Sequence, residues 1–302
     1  MAEPTIKRGS DHFFTTLYEG TGSGRRVGKF LPFTASGTIS NSCVFNHGTS
    51  GQQIQIAAPG SAGNQKIATV SCWFKRNSSG LSDQQYLYSI WNGTDDGSPY
   101  LDDRHYLQLR TNDQLYVNFW GDGVMTNRTF EDTSRWYHYL LAVDSTQSTP
   151  ADRIKLYIDG ELITSFASTS YFAQDSNLAF AKRAFTVGNT KAGDNAQETF
   201  DGAIAEFNFV EGSALTPSTF GQTDTTTGRW IPKTLSGITY GTNGFRLTFS
   251  AAAALGTDSS GNGNNLTPAN LTTTDQSADN PNDNFMAFDR NRYLGTQQAT
   301  EN

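Results

Sequence analysis

The chain has 302 residues, enough for one large β-domain or one domain with appended segments, and its 29 glycines, 20 Phe, 12 Tyr and 5 Trp set against 17% charged residues make a turn-rich, aromatic-strand composition. A formal net charge of −7 argues against broad nucleic-acid or anionic-membrane binding, which needs clustered Lys and Arg. The one basic cluster, Lys7-Arg8 with Arg25-Arg26, reads as a solvated arm or as a docking point for an acidic patch of a larger assembly.

Residues 1–40 lack strong periodicity. They hold the Gly-rich stretch EGTGSGRR (19–26), flanked by Phe13, Phe14, Tyr18, Phe30 and Phe33, which suggests an N-terminal arm that orders against something. No apolar run of about 18 residues and no charged-then-apolar leader occurs, so neither a membrane span nor a signal peptide is expected.

Strands are expected in quick succession at 43–47, 53–57, 67–76 and 84–91. Cys43 and Cys72 fall inside apolar strand patterns, without His or Cys at metal-ligand spacing; two buried thiols are expected, able to pair only if their strands are adjacent. Next, residues 104–110 and 114–120 form a hairpin through Thr111-Asn112-Asp113. Leu107 and Leu109 alternate with Tyr106 and Gln108, and Leu115, Val117 and Phe119 with Tyr116, Asn118 and Trp120, so each strand has one apolar and one mixed face.

Residues 135–144 and 153–166 read as three more strands. In the second segment Ile154, Leu156 and Ile158 alternate with Arg153, Lys155, Tyr157 and Asp159, and Asp159-Gly160 then closes a two-residue type I′ hairpin that pairs Ile158 with Glu161 and Leu156 with Ile163. One face thus carries Ile154, Leu156, Ile158 and Ile163 to a core. After residue 220 Thr, Asn, Gly and Asp dominate. Phe245, Leu247 and Phe249 alternate in a strand at 244–250 that returns to the sandwich or starts a small subdomain, and DSSGNGNN (258–265) is a tight turn. Many short strands with turn signals and no long helical period give an all-β, antiparallel two-sheet sandwich at 41–222, an N-terminal arm at 1–40 and an irregular C-terminal extension at 223–302.

Trp136, His138, Tyr157, Ile158, Asp159 and Gly160 resemble the central signature of the laminin-G / concanavalin A-like lectin-glucanase superfamily, a jelly roll in which a Trp-x-His strand precedes one ending in Tyr-(Ile/Val)-Asp-Gly. FTVGNT (185–190) and FDGAIAEFNFVEGSALTPSTF (200–220) resemble its later strands, and FNHGTSGQQIQI (45–56) and KIATVSCWFKR (66–76) its opening ones, so the resemblance covers about residues 40–220. Three ordered blocks, at 214–233, 241–250 and 256–285, resemble a run that follows such a domain in virion proteins of marine tailed phages. That second resemblance implies a particle context: other virion proteins as partners, assembly in the host cytoplasm, and a homo-oligomer, trimeric by family analogy. It implies no chemistry.

Glucanases of this superfamily carry Glu-x-Asp-x-x-Glu on an inner strand, and EFNFVE places Glu206 and Glu211 at that spacing. Asn208 stands at the Asp position, however, and retaining hydrolysis needs carboxyl groups about 5–5.5 Å apart, which two residues of opposite parity reach only across a bulge. His12, His47, His105 and His138 stand beside no nucleophile elbow, and His138 reads as a packed strand residue. No catalytic residue is therefore assigned. Calcium is the family's usual cofactor when one exists; Asp95, Asp96, Asp102, Asp103, Asp122 and Asp258 with Asn262 and Asn264 are oxygen-bearing turn residues without an EF-hand pattern, and no metal ligand is assigned.

Glycan binding by this fold uses rim loops or one face, with aromatic rings against sugar faces and Asp or Asn on hydroxyls. WNGTDDGSPYLDD (91–103) and WGDG (120–123) supply that combination, so Trp91, Asp95, Asp96, Tyr100, Trp120 and Asp122 are the carbohydrate-binding candidates. The expected function is a non-enzymatic phage virion protein, in a tail, fibre or capsid appendage, that displays a lectin-like jelly roll for adhesion to host surface glycans. The alternatives are a purely structural decoration or adaptor protein, whose function lies in the N-terminal arm and residues 220–302, and a glycan-degrading enzyme.

Overall fold

The computed structural model describes residues 39–48, 51–80, 83–92, 101–190 and 198–282. The expected N-terminal arm lies outside them, apart from its last two residues. Two eight-stranded antiparallel sheets face each other. In the first, β10 (Glu161–Leu162), β9 (Ile154–Ile158), β8 (Tyr137–Asp144), β3 (Ile67–Arg76), β13 (Gly202–Glu211), β1 (Ser42–Phe45) and β18 (Gln276–Ser277) lie side by side, and β16 (Phe245–Leu247) also pairs with β13. The second runs β11 (Phe166–Ser170), β7 (Asp122–Thr129), β6 (Gln114–Phe119), β5 (His105–Leu109), β4 (Gln85–Ile90), β12 (Phe185–Val187), β2 (Gln53–Ile56) and β17 (Thr267–Ala269). This is the expected all-β jelly-roll sandwich.

Period-two patterning explains the core. Ile154, Leu156 and Ile158 enter it from the first sheet, and Leu107, Leu109, Leu115, Val117 and Phe119 from the second. Each side chain of this size removed from water contributes about 1.5–3 kcal/mol. The Asp159-Gly160 turn has positive φ at both residues, 53° and 83°, as a type I′ hairpin requires. Its register is the one expected: Glu161 faces Ile158, and the Ile163 amide donates to Leu156 O at 2.9 Å. In the β5–β6 loop Asp113 takes the left-handed conformation, φ 61°, and its carboxylate accepts from the buried Arg76 Nη1 at 2.6 Å, which ties the loop to the end of β3.

Cys43 and Cys72 are buried free thiols, and burial pushes both well above the ordinary thiol range. Cys43 pairs with Ile204 and Ile204 with Phe74, so β13 runs between the two cysteine strands and holds them about two strand spacings, ~9–10 Å, apart, beyond disulfide reach.

β3 and β13 are buried along nearly their whole length, so both of their faces are covered. The cover comes from the C-terminal run. Phe220 and Tyr240 pack on Leu140, Ala142 and Val210, while Trp230, in the ribbon formed by β14 (Gly221–Thr223) and β15 (Trp230–Pro232), packs with Trp73, Trp136, Ala203 and Ala205. The strand expected at 244–250 returns to the sandwich as β16. It ends at Leu247, because Phe249 turns into the left-handed region at φ 53°. Residues 223–282 thus supply a strand to the edge of each sheet and a third layer over the first.

Trp230 is seated closely. A Cβ on Gly160 would lie 2.6 Å from its ring and one on Gly221 2.5 Å from it, and its Nε1 donates to His138 Nδ1 at 3.1 Å. Trp230→Ala is expected to cost ~2–4 kcal/mol in a denaturant titration, and Gly160→Ala to destabilise as well, through both its positive φ and the ring contact. A Gly160→Ala protein as stable as wild type would contradict this seat.

Candidate functional site

Three adjacent strands of the second sheet place polar and aromatic residues in rows on its outer face. Residues directly opposite each other in a ladder share a face. Ser89 pairs with Tyr106 and Tyr106 with Asn118; one row further on, Tyr86 pairs with Gln108 and Gln108 with Tyr116. The same alternation carries Trp91, Arg104 and Trp120 to the rim beyond these rows. There the Arg104 guanidinium lies 4.3 Å from the centroid of the Trp91 ring and 4.1 Å from that of Trp120. Residues 91 and 120 are thereby gathered around one cation, an arrangement worth ~0.5–2 kcal/mol per contact.

Trp120 sits in an unusual backbone. With Gly121 it forms a two-residue turn, φ 48° and 99°, between the paired residues Phe119 and Asp122. Asn or Gly normally occupies such a position, and a bulky L-residue there costs ~1–2 kcal/mol. The indole is set at the rim despite that cost, a pattern associated with functional positions.

Behind the rim, Asp103 is fully buried, with its Oδ1 3.2 Å from Arg183 Nη2 and its Oδ2 3.9 Å from Arg104 Nε. Asp102 pairs with Lys182, and its carbonyl accepts from Arg183 Nε at 3.0 Å. Two consecutive aspartates therefore anchor the cations of this rim. Along the face the Tyr106 ring meets Tyr86 edge-on at 5.3 Å and Tyr116 at 6.4 Å. Asn118 Nδ2 donates to the Tyr116 hydroxyl at 2.5 Å, and Arg110 donates to Gln84 Oε1 at 2.7 Å and Gln108 Oε1 at 3.3 Å. Burial pushes the Tyr86 and Tyr106 hydroxyls above the ordinary phenol range, so both are neutral donors at physiological pH. The result is a surface of half-buried rings and guanidinium groups over the buried Gln108 and Asn118 amides, able to take the C–H faces of a polyhydroxylated ligand and to donate to its oxygens.

Of the residues expected here, Trp91 and Trp120 come together. Asp122 pairs with Phe119, whose ring is in the core, so it leaves the hairpin on the side opposite the tyrosine rows, and its Oδ1 accepts from Ser170 Oγ at 2.5 Å. Asp95, Asp96 and Tyr100 lie outside the described residues. Arg104, Tyr106 and Tyr116 were missed as site residues, although the mixed faces of the 104–110 and 114–120 strands held the signal.

The catalytic leads have other partners. β13 does carry a bulge between Ala205 and Asn208, with Glu206 left-handed at φ 49°. Beyond it Phe207 and Phe209 point into the core, so the parity that puts Glu211 on their side puts Glu206 on the other. Glu206 accepts from Arg246 Nε at 2.5 Å, whereas Glu211 accepts from the Asn64 and Asn243 amides at 2.5 and 2.7 Å. Ser71 Oγ lies 2.9 Å from His138 Nε2, both fully buried, but Trp230 donates to Nδ1, which leaves the proton on Nε2 pointing at the serine. A general base needs the opposite tautomer. His105 is also interior: Nδ1 donates to Asn118 O at 2.8 Å, Nε2 accepts from Tyr88, and Tyr139 donates to Tyr88.

The Asp258 oxygens accept from the amides of Arg246, Ser260 and Asn264, while the side chains of Asn262 and Asn264 donate to carbonyls of residues 241–244. Among the described residues no three His, Cys, Asp or Glu side chains gather as a metal cluster. A cavity of ≈ 240 Å³, lined in part by Arg183, Phe185, Phe209 and Phe245, lies behind the rim and off this face.

Residues 47–219 match the family model of the concanavalin A-like lectin/glucanases superfamily. No curated protein matches the sequence. Among solved structures the chain is similar to a heptameric SAP-like pentraxin from Limulus polyphemus (13% identity, TM-score 0.41, 59% of this chain and 79% of that one). It is similar to a putative carbohydrate binding protein from Bacteroides ovatus (18% identity, TM-score 0.41, 59% and 44%, hence less than half of that protein's length). It is also similar to the CBM40 of the Ruminococcus gnavus IT-sialidase (15% identity, TM-score 0.39, 59% and 92%). Likeness at these identities concerns the fold alone.

His105 and His138 are both held down to about 3 by burial, below the ordinary imidazole range. The unfolded chain therefore takes up protons that the folded one refuses between about pH 6.5 and 3, and stability falls as pH drops through that window, by up to tenfold per histidine per pH unit in the unfolding constant. Urea titrations across the window check this; a flat profile contradicts it. Trp120→Asn, which suits the turn, is expected to leave stability unchanged or raise it by ~1 kcal/mol.

Proposed function

Because the chain belongs to the concanavalin A-like lectin/glucanases superfamily, we propose that it is a non-enzymatic glycan-binding protein whose ligand lies on the outer face of the second sheet, from the Trp91–Arg104–Trp120 rim toward Tyr106 and Tyr116. The observation that carries this reading is the rim itself: two indoles from different hairpins held around one guanidinium, one of them in a backbone conformation that disfavours it. Sugar C–H faces are apolar and their hydroxyls need donors and acceptors, and this face offers half-buried rings with an arginine at either end of β5, Arg104 and Arg110, over the buried amides of Gln108 and Asn118. The engagement of Glu206 with Arg246 and of Glu211 with two backbone amides supports binding without hydrolysis.

The setting we assign is a tailed-phage particle, as a tail, fibre or capsid appendage that meets host surface glycans. Its support is the resemblance of the three ordered C-terminal blocks. In this structure those blocks complete the sandwich: β16 pairs with β13, β17 with β2, and Tyr240 packs on the first sheet.

A panel of bacterial-envelope and other glycans probed with the whole protein tests the proposal. Wild type is expected to bind a subset, and Trp91→Ala and Trp120→Asn to weaken that binding at least tenfold while each still melts in one cooperative transition. Wild-type protein that binds no glycan, or binding untouched by both variants, refutes it. Mass spectrometry of purified particles tests the virion setting, which fails if the chain is missing from them.

A further inference from the structure

The two sides of the sandwich end differently. On one side the edge strands are β18, two residues long, and β17, three residues long with Pro268 at its centre. Short strands and proline are standard protection against edge-to-edge pairing. On the other side the edges are β10 and β11. β11 is the longest edge strand of the two sheets, five residues, and exposed from Ala167 to its end. Residues 162–172, LITSFASTSYF, carry no charge, no proline and no glycine in a chain of net charge −7. Leu162, in β10, is the one large hydrophobic that stands exposed among the described residues, at 47%. The single irregularity of β11, a register shift between Phe166 and Ser168, leaves residues 168–170 in regular pairing with β7 on one side and, among the described residues, with no neighbouring strand on the other.

We propose that this edge is a self-association surface, where β11 of one copy pairs antiparallel with β11 of a second copy about a two-fold axis through Thr169. Ser168-Thr169-Ser170 reads the same in both directions, so the two-fold arrangement sets each Ser against a Ser and Thr169 against its own counterpart, a pairing that hydroxyl side chains favour in antiparallel ladders. The absence of charge over residues 162–172 lets two acidic chains approach here without like-charge conflict. One such contact satisfies both open edges at once and joins the two second sheets into one continuous sheet. The contact does not extend onto the tyrosine face, because pairing takes place at the edge.

Sedimentation of the full chain over a concentration series tests this. Wild type is expected to pass from monomer to dimer. Thr169→Lys, which sets two like charges directly opposite each other, is expected to raise the dimer dissociation constant at least tenfold with an unchanged melting temperature, since residue 169 is exposed. Thr169→Cys is expected to give an interchain disulfide on mild oxidation; the native cysteines are buried and do not compete. Wild type that stays monomeric throughout, an assembly indifferent to Thr169→Lys, or a closed trimer overturns the proposal.

Discussion

Four residues close a ring of contacts on which the first sheet depends. Asp159 opens the β9–β10 turn, and its Oδ1 accepts the His138 amide at 2.9 Å. The His138 ring accepts from Trp230, and Trp230 lies against Gly160, the other turn residue. A turn, a central strand and the covering layer are therefore fixed by one circuit, and each contact presupposes the geometry of the next. Burial raises the Asp159 carboxyl despite the facing amide and Arg135, so the charge sits in a place that only this full set of donors makes acceptable. The conspicuous motif of the chain is thus a joint between layers.

That arrangement divides the molecule's surfaces. The outer face of the first sheet is spent on holding the C-terminal run, with Trp136 Nε1 and Lys75 Nζ both bonded to Asp279. Among the described residues the second sheet has no comparable layer over Tyr106 and Tyr116, which are half-buried and carry polar neighbours. Phe119, Phe180 and Phe185 in the core meet other rings, whereas Trp91 and Trp120 at the rim meet a guanidinium group. Apolar contact serves packing in the first set. In the second it holds donors in place.

Residue type dictated some of this and left the rest hidden. Asp-Gly between alternating strands specifies positive φ twice, so the turn, its register and its core face were all legible from residues 153–163. Trp230 was not: it lies in a three-residue strand amid Thr, Gly and Asp, too short for a period of two to appear, and its partners are about 70 and 90 residues away. The left-handed Glu206 and Trp120 were equally hidden, because neither position carries the glycine or asparagine that would betray it. Of the site, the two tryptophans stood out as aromatics beside acidic turns, but the group that joins them is an arginine whose role comes from the β4–β5–β6 register, a long-range property. The aspartates drew attention by composition, and Asp122 is directed away by the parity of a two-residue turn.

The C-terminal run also sets the order of events in folding. Ser42 Oγ donates to Asp279 O across 237 residues of sequence, and β1 and β2, the first strands of the sandwich, gain their outer neighbours from β18 and β17, its last. A topology so weighted toward distant contacts folds slowly, since loop closure must precede the reward. During synthesis the edges of β1 and β2 stay open until about residue 280 has left the ribosome, so the chain emerges with one side of its sandwich, an edge in each sheet, exposed to every other nascent copy. The brevity of β17 and β18 and the proline in β17 belong to the finished protein; the growing one must be shielded by speed of completion or by a chaperone.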